Sequence, residues 1–519
     1  MKKVLLIILS GLGEGRNDVT NPIYLAKKPF FDYIRKHYPL FLLQASGILV
    51  GLPWNEPGNS ESGHLTMGTG KIYYKHYPRI SIAIKNGEFF ENPVLKSLLE
   101  HVKNHKGRIH LIGLLSKSKN HSAIEHILAL LNFFKNNNFY DVFLHLFLDG
   151  VDSPPQSGLE TLESLENELK KIKIGKIATL CGRTYGMDEN REWKIKTQTA
   201  FLLISEGNGK KIESYKDYIK NIYKKNPNFS DENLEPLVID ENGILKDNDG
   251  IFFFNFREDG MYQLSKAFLD PNFNEFKRPK KTNLFIASMT KYLQDIDYPV
   301  AFPPLKIKSS LSRVISENNM RQLKIIEESK AKNLTVYFNG YIDKPYPNEF
   351  WKIVDDYKGP LKENPLLQSG LITDLTIQAI NENIYDFIIS EYSAPDVIGH
   401  YGDFNLSIKT IEGIDYLLSK IYKFLKDKSQ WTLLITSDHG NIELMINPIT
   451  KAIHTGHTTN PVPFYIINDD FYFENKNLEI LKKENKIRGS LIDIGPTILN
   501  LLGIDISQDF EGVSLLSKI

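Results

Sequence analysis

The chain has 519 residues, 41% of them apolar, enough for a sizeable buried core and for two or three domains at roughly 150 residues each. Lys plus Arg and Asp plus Glu both total 63, so no net field draws the chain to nucleic acid or a membrane surface, and any anion site must be local. Cys181 is the only cysteine, which excludes an intrachain disulfide and fits a reducing, cytoplasmic setting.

The first element is the apolar run Val4–Leu9, which reads as a buried strand rather than a signal segment. It is short, and it ends in Ser10-Gly11-Leu12-Gly13 with no small-residue cleavage pattern. Further short apolar runs predict strands at Ile109–Leu115, Val142–Leu148, Ile251–Phe256, Leu284–Met289, Thr335–Phe338, Phe387–Ser390, Leu433–Thr436 and Phe464–Ile467. Ile408, Ile411, Ile414, Leu418, Ile421 and Leu425 recur at helical spacing. Leu491–Leu502 predicts another helix, with Pro496 near its start. The mixed-charge stretches Lys224–Asn233 and Glu474–Lys486 read as solvated. No run approaches the ~20 apolar residues of a membrane helix. Strands alternating with helices predict an α/β fold with mostly parallel sheets.

Polar motifs follow the strands, where open α/β sheets place their ligand sites. Asp396 and His400 are four apart, which on a helix puts both on one side. Asp438-His439 follows Leu433–Thr436, and His457 lies in a glycine- and threonine-rich turn. Mixed carboxylate and imidazole ligands suit Zn or Mn, and paired ions of that kind clamp an in-line phosphoryl displacement. Ser60, in Gly58-Asn59-Ser60-Glu61-Ser62-Gly63-His64, has two readings. It is a helix N-cap, or it is a nucleophile whose hydroxyl pKa a metal would lower.

These motifs resemble, in order and over essentially the whole chain, those of the cofactor-independent phosphoglycerate mutase family. The matching stretches include Leu43-Gln44-Ala45-Ser46-Gly47, the Ser60 motif, Phe147 to Pro155, Gly182-Arg183 to Trp193 and Phe254-Asn255-Phe256-Arg257. Arg321-Gln322-Leu323, Phe338-Asn339-Gly340, Pro395 to His400, Thr436 to Asn441 and His454 to Pro463 continue the match. The resemblance implies an alkaline-phosphatase-like metal domain at 1–76 and 308–519, interrupted by an inserted α/β substrate domain at 77–307. Closure between the two is expected. It implies two Mn ions and no need for bisphosphoglycerate. One ion would be held by Asp396, His400 and His457, and the other by Asp438, His439 and the nucleophile Ser60. His121, Asp152, Arg183, Arg257 and Lys330 would contact phosphoglycerate, with Asp152 shuttling protons. The family also implies a monomer, interconverting 3-phosphoglycerate and 2-phosphoglycerate through a phosphoserine in glycolysis.

Four positions depart from that pattern. Ser10 stands where the family has a metal-binding aspartate. Val151, Glu189 and Gly260 stand where it has arginines. Lys117, Lys119 and Arg191 are the nearby cations that would compensate. The departures set two alternatives beside a working mutase: a metal-dependent phosphate-ester hydrolase, and a non-catalytic relative that keeps the fold.

Overall fold

The computed structural model describes residues 2–519. The chain forms two compact units, one from the N-terminal segment through Lys75 together with Lys306–Ile519, the other His76–Leu305.

The first unit is built on an eight-stranded sheet. Its order is Glu349–Val354, Gln322–Glu327, Phe387–Tyr392, Lys3–Leu9, Trp431–Thr436, Val462–Ile467, Leu40–Gln44 and Ile487–Ser490. Lys3–Leu9 runs parallel to both its neighbours, Phe387–Tyr392 and Trp431–Thr436. Its side chains pack into cores on both faces, which is why the run reads as continuously apolar rather than alternating. The helix Phe404–Leu425 buries Ile411, Ile414, Leu418, Ile421 and Leu425 on one side. Asp403 caps its start by accepting from the Leu406 N–H. The Leu491–Leu502 segment begins as a 3₁₀ turn, and its α-helix runs from Ile494 with Pro496 in the first turn, where a missing N–H costs nothing.

The second unit carries a seven-stranded sheet, ordered Lys210–Lys211, Leu237–Val238, Lys176–Gly182, Val142–Leu148, Ile109–Leu115, Gly250–Phe253 and Phe285–Ser288. Among the described residues, no helix is long and apolar enough to cross a membrane.

Several expectations need correction. Thr335–Phe338 is no strand. It lies in the π-helical turn Asn333–Tyr337 and the residue after it, closed by Phe338 N–H donating to the Asn333 carbonyl. A four-residue apolar run carries no period that separates strand from buried helix. The Ile251–Phe256 strand stops at Phe253, because Asn255 turns inward to accept from the Leu114 N–H. The two mixed-charge stretches are not wholly solvated. Asp231 is buried and accepts from the Gly158 N–H, and Glu484 is buried against Lys476 and the Leu40 N–H.

The strand Gln322–Glu327 was hidden by a lysine in its middle. Lys324 is fully buried, 2.8 Å from Glu349 on the neighbouring edge strand, and it also donates to the Leu334 carbonyl and to Asn339. Burial lowers its pKa to about 8 against the pull of Glu349. This pair ties the edge strand to the Asn333–Tyr337 turn and to Asn339 just beyond it. Lys324→Ala leaves Glu349 buried without its cation and is expected to lower unfolding stability by about 3–5 kcal/mol in a urea titration. A loss below about 1 kcal/mol would show that the pair behaves as a solvated one.

Candidate functional site

The ligand-bearing residues of the first unit lie at the carboxyl ends of its central strands. Asp396 and His400 sit one turn apart on the helix Ala394–Tyr401, which follows Phe387–Tyr392 after a single residue. Asp438 and His439 follow Trp431–Thr436. Ser60 opens the helix Ser60–Thr69, but it is not the cap. Asn59 holds that place, accepting from the Ser62 N–H, so the Ser60 hydroxyl is released from capping. Gly63 lets this helix approach Asp438, since a Cβ there would lie 2.4 Å from the Asp438 carbonyl oxygen.

Asp396 Oδ1, His400 Nε2 and His457 Nε2 form a triangle with sides of 3.0, 3.3 and 3.4 Å. Three ligands of a tetrahedral zinc-type site with bonds of about 2.0–2.1 Å stand about 3.3–3.4 Å apart, so the triangle matches such a face. The Nδ1 atoms of His400 and His457 are satisfied by the carbonyls of Thr455 and Gly58, at 2.8 and 2.7 Å. Each imidazole therefore turns its remaining nitrogen inward, the arrangement that a second-sphere carbonyl imposes on a metal-binding histidine. These residues fit a divalent cation.

A second set lies against the first. Ser60 Oγ is 3.2 Å from His439 Nε2, which is 3.3 Å from Asp438 Oδ2. The rings of His439 and His457 stack with centroids 3.9 Å apart, so the two sets share one site. The Ser10 hydroxyl donates to Asp438 Oδ2 at 3.2 Å. Lys330 Nζ lies 2.9 Å from Asp396 Oδ2.

The electrostatics agree with cation binding. Burial alone would raise the Asp396 carboxyl, but the His400 and His457 bonds, His439 and Lys330 hold it far below the usual carboxylate range. Burial also opposes ionisation of Asp438, yet His439, His64 and the Gly11 N–H keep its pKa low. Burial lowers His439, which leaves a lone pair available for a ligand.

In the second unit, Arg183 is the hub. Its Nη1 donates to Asp149 at 2.8 Å and to Asp152 at 2.6 Å, and its Nη2 lies 3.3 Å from His121 Nε2. Burial and then Arg183 lower His121, whereas the Arg183 bond overcomes burial and keeps Asp152 a carboxylate. Arg257 is half exposed and pairs with Asp259 at 2.7 Å. Lys330 belongs to the first unit, where it pairs with Asp396. Lys117 and Lys119 do not converge on it as compensating charges. They pair with the surface carboxylates of Glu160 and Glu125, at 2.7 and 2.9 Å.

Sequence reasoning missed several buried groups. Glu443 accepts from the N–H groups of Gly13 and Asn441 and from the side chains of Thr458 and Asn460, joining the loops around both ligand sets. His64 and Glu391 are fully buried beside Asp438. Two signals pointed to them: His64 is four residues from Ser60, and Glu391 is the one charged residue in the buried strand Phe387–Tyr392.

The fold and these ligand sets define a two-unit α/β protein with a cation-binding centre and a serine hydroxyl beside it. The family described as "BPG-independent PGAM N-terminus" matches residues 80–294. The 2,3-bisphosphoglycerate-independent phosphoglycerate mutase of Legionella pneumophila (strain Lens) is 36% identical over 517 residues, spanning 99% of this chain and 98% of that protein. The mutase of Clostridium perfringens (strain SM101 / Type A) is 37% identical over 523 residues, spanning 100% and 99%. A solved Leishmania mexicana phosphoglycerate mutase, at low cobalt concentration, superposes with a TM-score of 0.55 at 26% identity, over 99% of this chain and 97% of that one. The chain belongs to the cofactor-independent phosphoglycerate mutase family.

Proposed function

We propose that the protein interconverts 3-phosphoglycerate and 2-phosphoglycerate in glycolysis, as a cytoplasmic monomer with two Mn ions and a phosphoserine intermediate. The observation that carries this reading is Ser60 Oγ, freed from capping by Asn59 and set 3.2 Å from His439 Nε2 beside the Asp396, His400 and His457 triangle. When bound, the cations lower the pKa of the Ser60 hydroxyl and neutralise the phosphoryl oxygens. Ser60 Oγ attacks phosphorus, and the bond from phosphorus to one glycerate oxygen breaks. The glycerate reorients, its other hydroxyl attacks the phosphoserine, and Ser60 leaves. Asp152, ionised beside Arg183, carries the proton between the two glycerate hydroxyls. His121, Arg183, Arg257 and Lys330 hold the anion, and Lys330 balances charge next to Asp396.

One observation favours a hydrolase as a second reading. Glu189 Oε1 lies 3.5 Å from the Cβ position of Gly260, so two of the expected arginine positions are neighbours, one empty and one acidic. A glycerate held less firmly there would leave before the return transfer. Protein supplied with Mn and 3-phosphoglycerate, coupled to enolase, is expected to form 2-phosphoglycerate. Phosphate release without isomer would replace the mutase reading by the hydrolase. No turnover of either kind would make the protein a non-catalytic relative.

A further inference from the structure

Two carboxylates and an imidazole are packed together just beneath the Ser60 and His439 ligands. Glu391, Asp438 and His64 are each fully buried, and one ligand atom from each lies within 4.8 Å of the others. Glu391 Oε1 accepts from Asn333 Nδ2 at 2.7 Å, while Oε2 has no hydrogen-bond partner. His64 Nδ1 lies 2.8 Å from the Ser60 carbonyl, which makes it the N–H donor, and 3.4 Å from Asp438 Oδ2. Its Nε2, also without a hydrogen-bond partner, faces Glu391 Oε2 at 3.0 Å. This is the arrangement of His400 and His457 again: a backbone carbonyl takes one nitrogen, and the other is aimed into a ligand cluster. Among the described residues, no Lys or Arg forms an ion pair with Glu391 or Asp438. Apart from the imidazoles of His64 and His439, no cationic side chain answers these two buried carboxylates among the described residues, and a divalent ion is the alternative to protonating the cluster.

The strand register explains why this cluster sits where it does. Ile8 pairs with Glu391 and with Thr436 on its two parallel neighbours. Side chains two residues apart along a strand share a face. Ser10, Glu391 and Asp438 therefore project from the same side of three adjacent strands. A carboxylate at 391 reaches toward Asp438 from the strand next to Ser10.

We propose that His64, Glu391 and Asp438 form a buried divalent-cation site continuous with the Ser60 and His439 ligands, in which Glu391 supplies the charge that Ser10 lacks. The proposal rests on the mutase reading for the cation's use, but its test reads binding rather than turnover. Crystals of the wild-type protein grown with Mn are expected to show an anomalous peak at bonding distance from Glu391 and Asp438, and another at Asp396, His400 and His457. In calorimetric titration with Mn, Glu391→Gln is expected to weaken one of the two sites by at least about tenfold and leave the other unchanged. Adding Ser10→Asp to that variant is expected to recover the lost affinity. A peak held by Ser60 and His439 with no bond to Glu391, together with unaltered Mn binding by Glu391→Gln, would overturn the proposal and leave the mutase reading standing. Absence of anomalous signal at every cluster would overturn both. Should Glu391→Gln not fold, the wild-type anomalous map alone decides.

Discussion

Ser60→Ala is expected to reduce isomerisation by roughly 10⁴- to 10⁶-fold, the range seen when a covalent nucleophile is removed from a site whose other parts remain. The size of the effect follows from the route. Without an Oγ there is no acceptor for the phosphoryl group, and the two glycerate hydroxyls have no intermediate through which to exchange it. The fold should be indifferent to the change. Ser60 is the first residue of its helix rather than the cap, and Asn59 keeps its bond to the Ser62 N–H. Asp396, His400 and His457 should still bind one Mn, because none of their mutual contacts passes through Ser60. The measurements are the enolase-coupled rate, the Mn content, and acid-quenched protein digested to locate phosphoserine. Wild-type protein should carry phosphate on the Ser60 peptide and the variant none. Activity retained within an order of magnitude would remove Ser60 from the reaction.

The second large effect is a gain. Val151→Arg, Glu189→Arg and Gly260→Arg together are expected to raise kcat/KM for 3-phosphoglycerate by about 10³- to 10⁶-fold. Three charge-assisted contacts at about 1.5–3 kcal/mol each amount to roughly 4–9 kcal/mol. The single changes should not add up to this. An arginine at 260 starts within reach of Glu189, whose Oε1 is 3.5 Å from the new Cβ, so Gly260→Arg alone would pair with that carboxylate instead of substrate. The Gly260 Cβ would also lie 2.7 Å from the terminal carbon of Met187, which can turn aside, and 3.0 Å from the Met187 Cβ, which moves only with its backbone, so a small local shift offsets part of the gain. Val151 is 58% exposed, so an arginine there has room but gains only if the glycerate is already positioned. Steady-state kinetics of the single, paired and triple variants test the order: Glu189 and Gly260 must change together before Val151→Arg contributes. No gain in the triple variant would show that these positions do not face the anion.

The readings that depended on neighbouring residues in the chain were the accessible ones. Apolar runs such as Ile109–Leu115 and Val142–Leu148 coincide with strands because a parallel strand buried on both faces needs no other pattern. The four-residue spacing of Asp396 and His400 and the adjacency of Asp438 and His439 carry their geometry within one turn or one strand end. Local chemistry failed where a distant partner set the outcome. Lys324 broke the apolar pattern of its strand because its charge is answered by Glu349 across the sheet edge. Thr335–Phe338 and the Ser60 cap failed for a different reason: the deciding bonds, Phe338 N–H to the Asn333 carbonyl and Ser62 N–H to Asn59, are local, but a short apolar run and a serine beside an asparagine fit more than one local structure.

Composition, strand and helix periodicity and the order of the motifs were sufficient for the α/β class and the family, because each is written in short-range spacing. Which side chains meet is a different kind of information. Glu391 gains its significance from the register that sets it on the same face as Ser10 and Asp438, and Glu189 from lying beside Gly260, about seventy residues further along the chain. Burial then converts those meetings into energy. A carboxylate in water is satisfied anywhere, whereas one shielded from solvent must find a proton, a donor or a cation, and only the folded chain determines which of these is within reach.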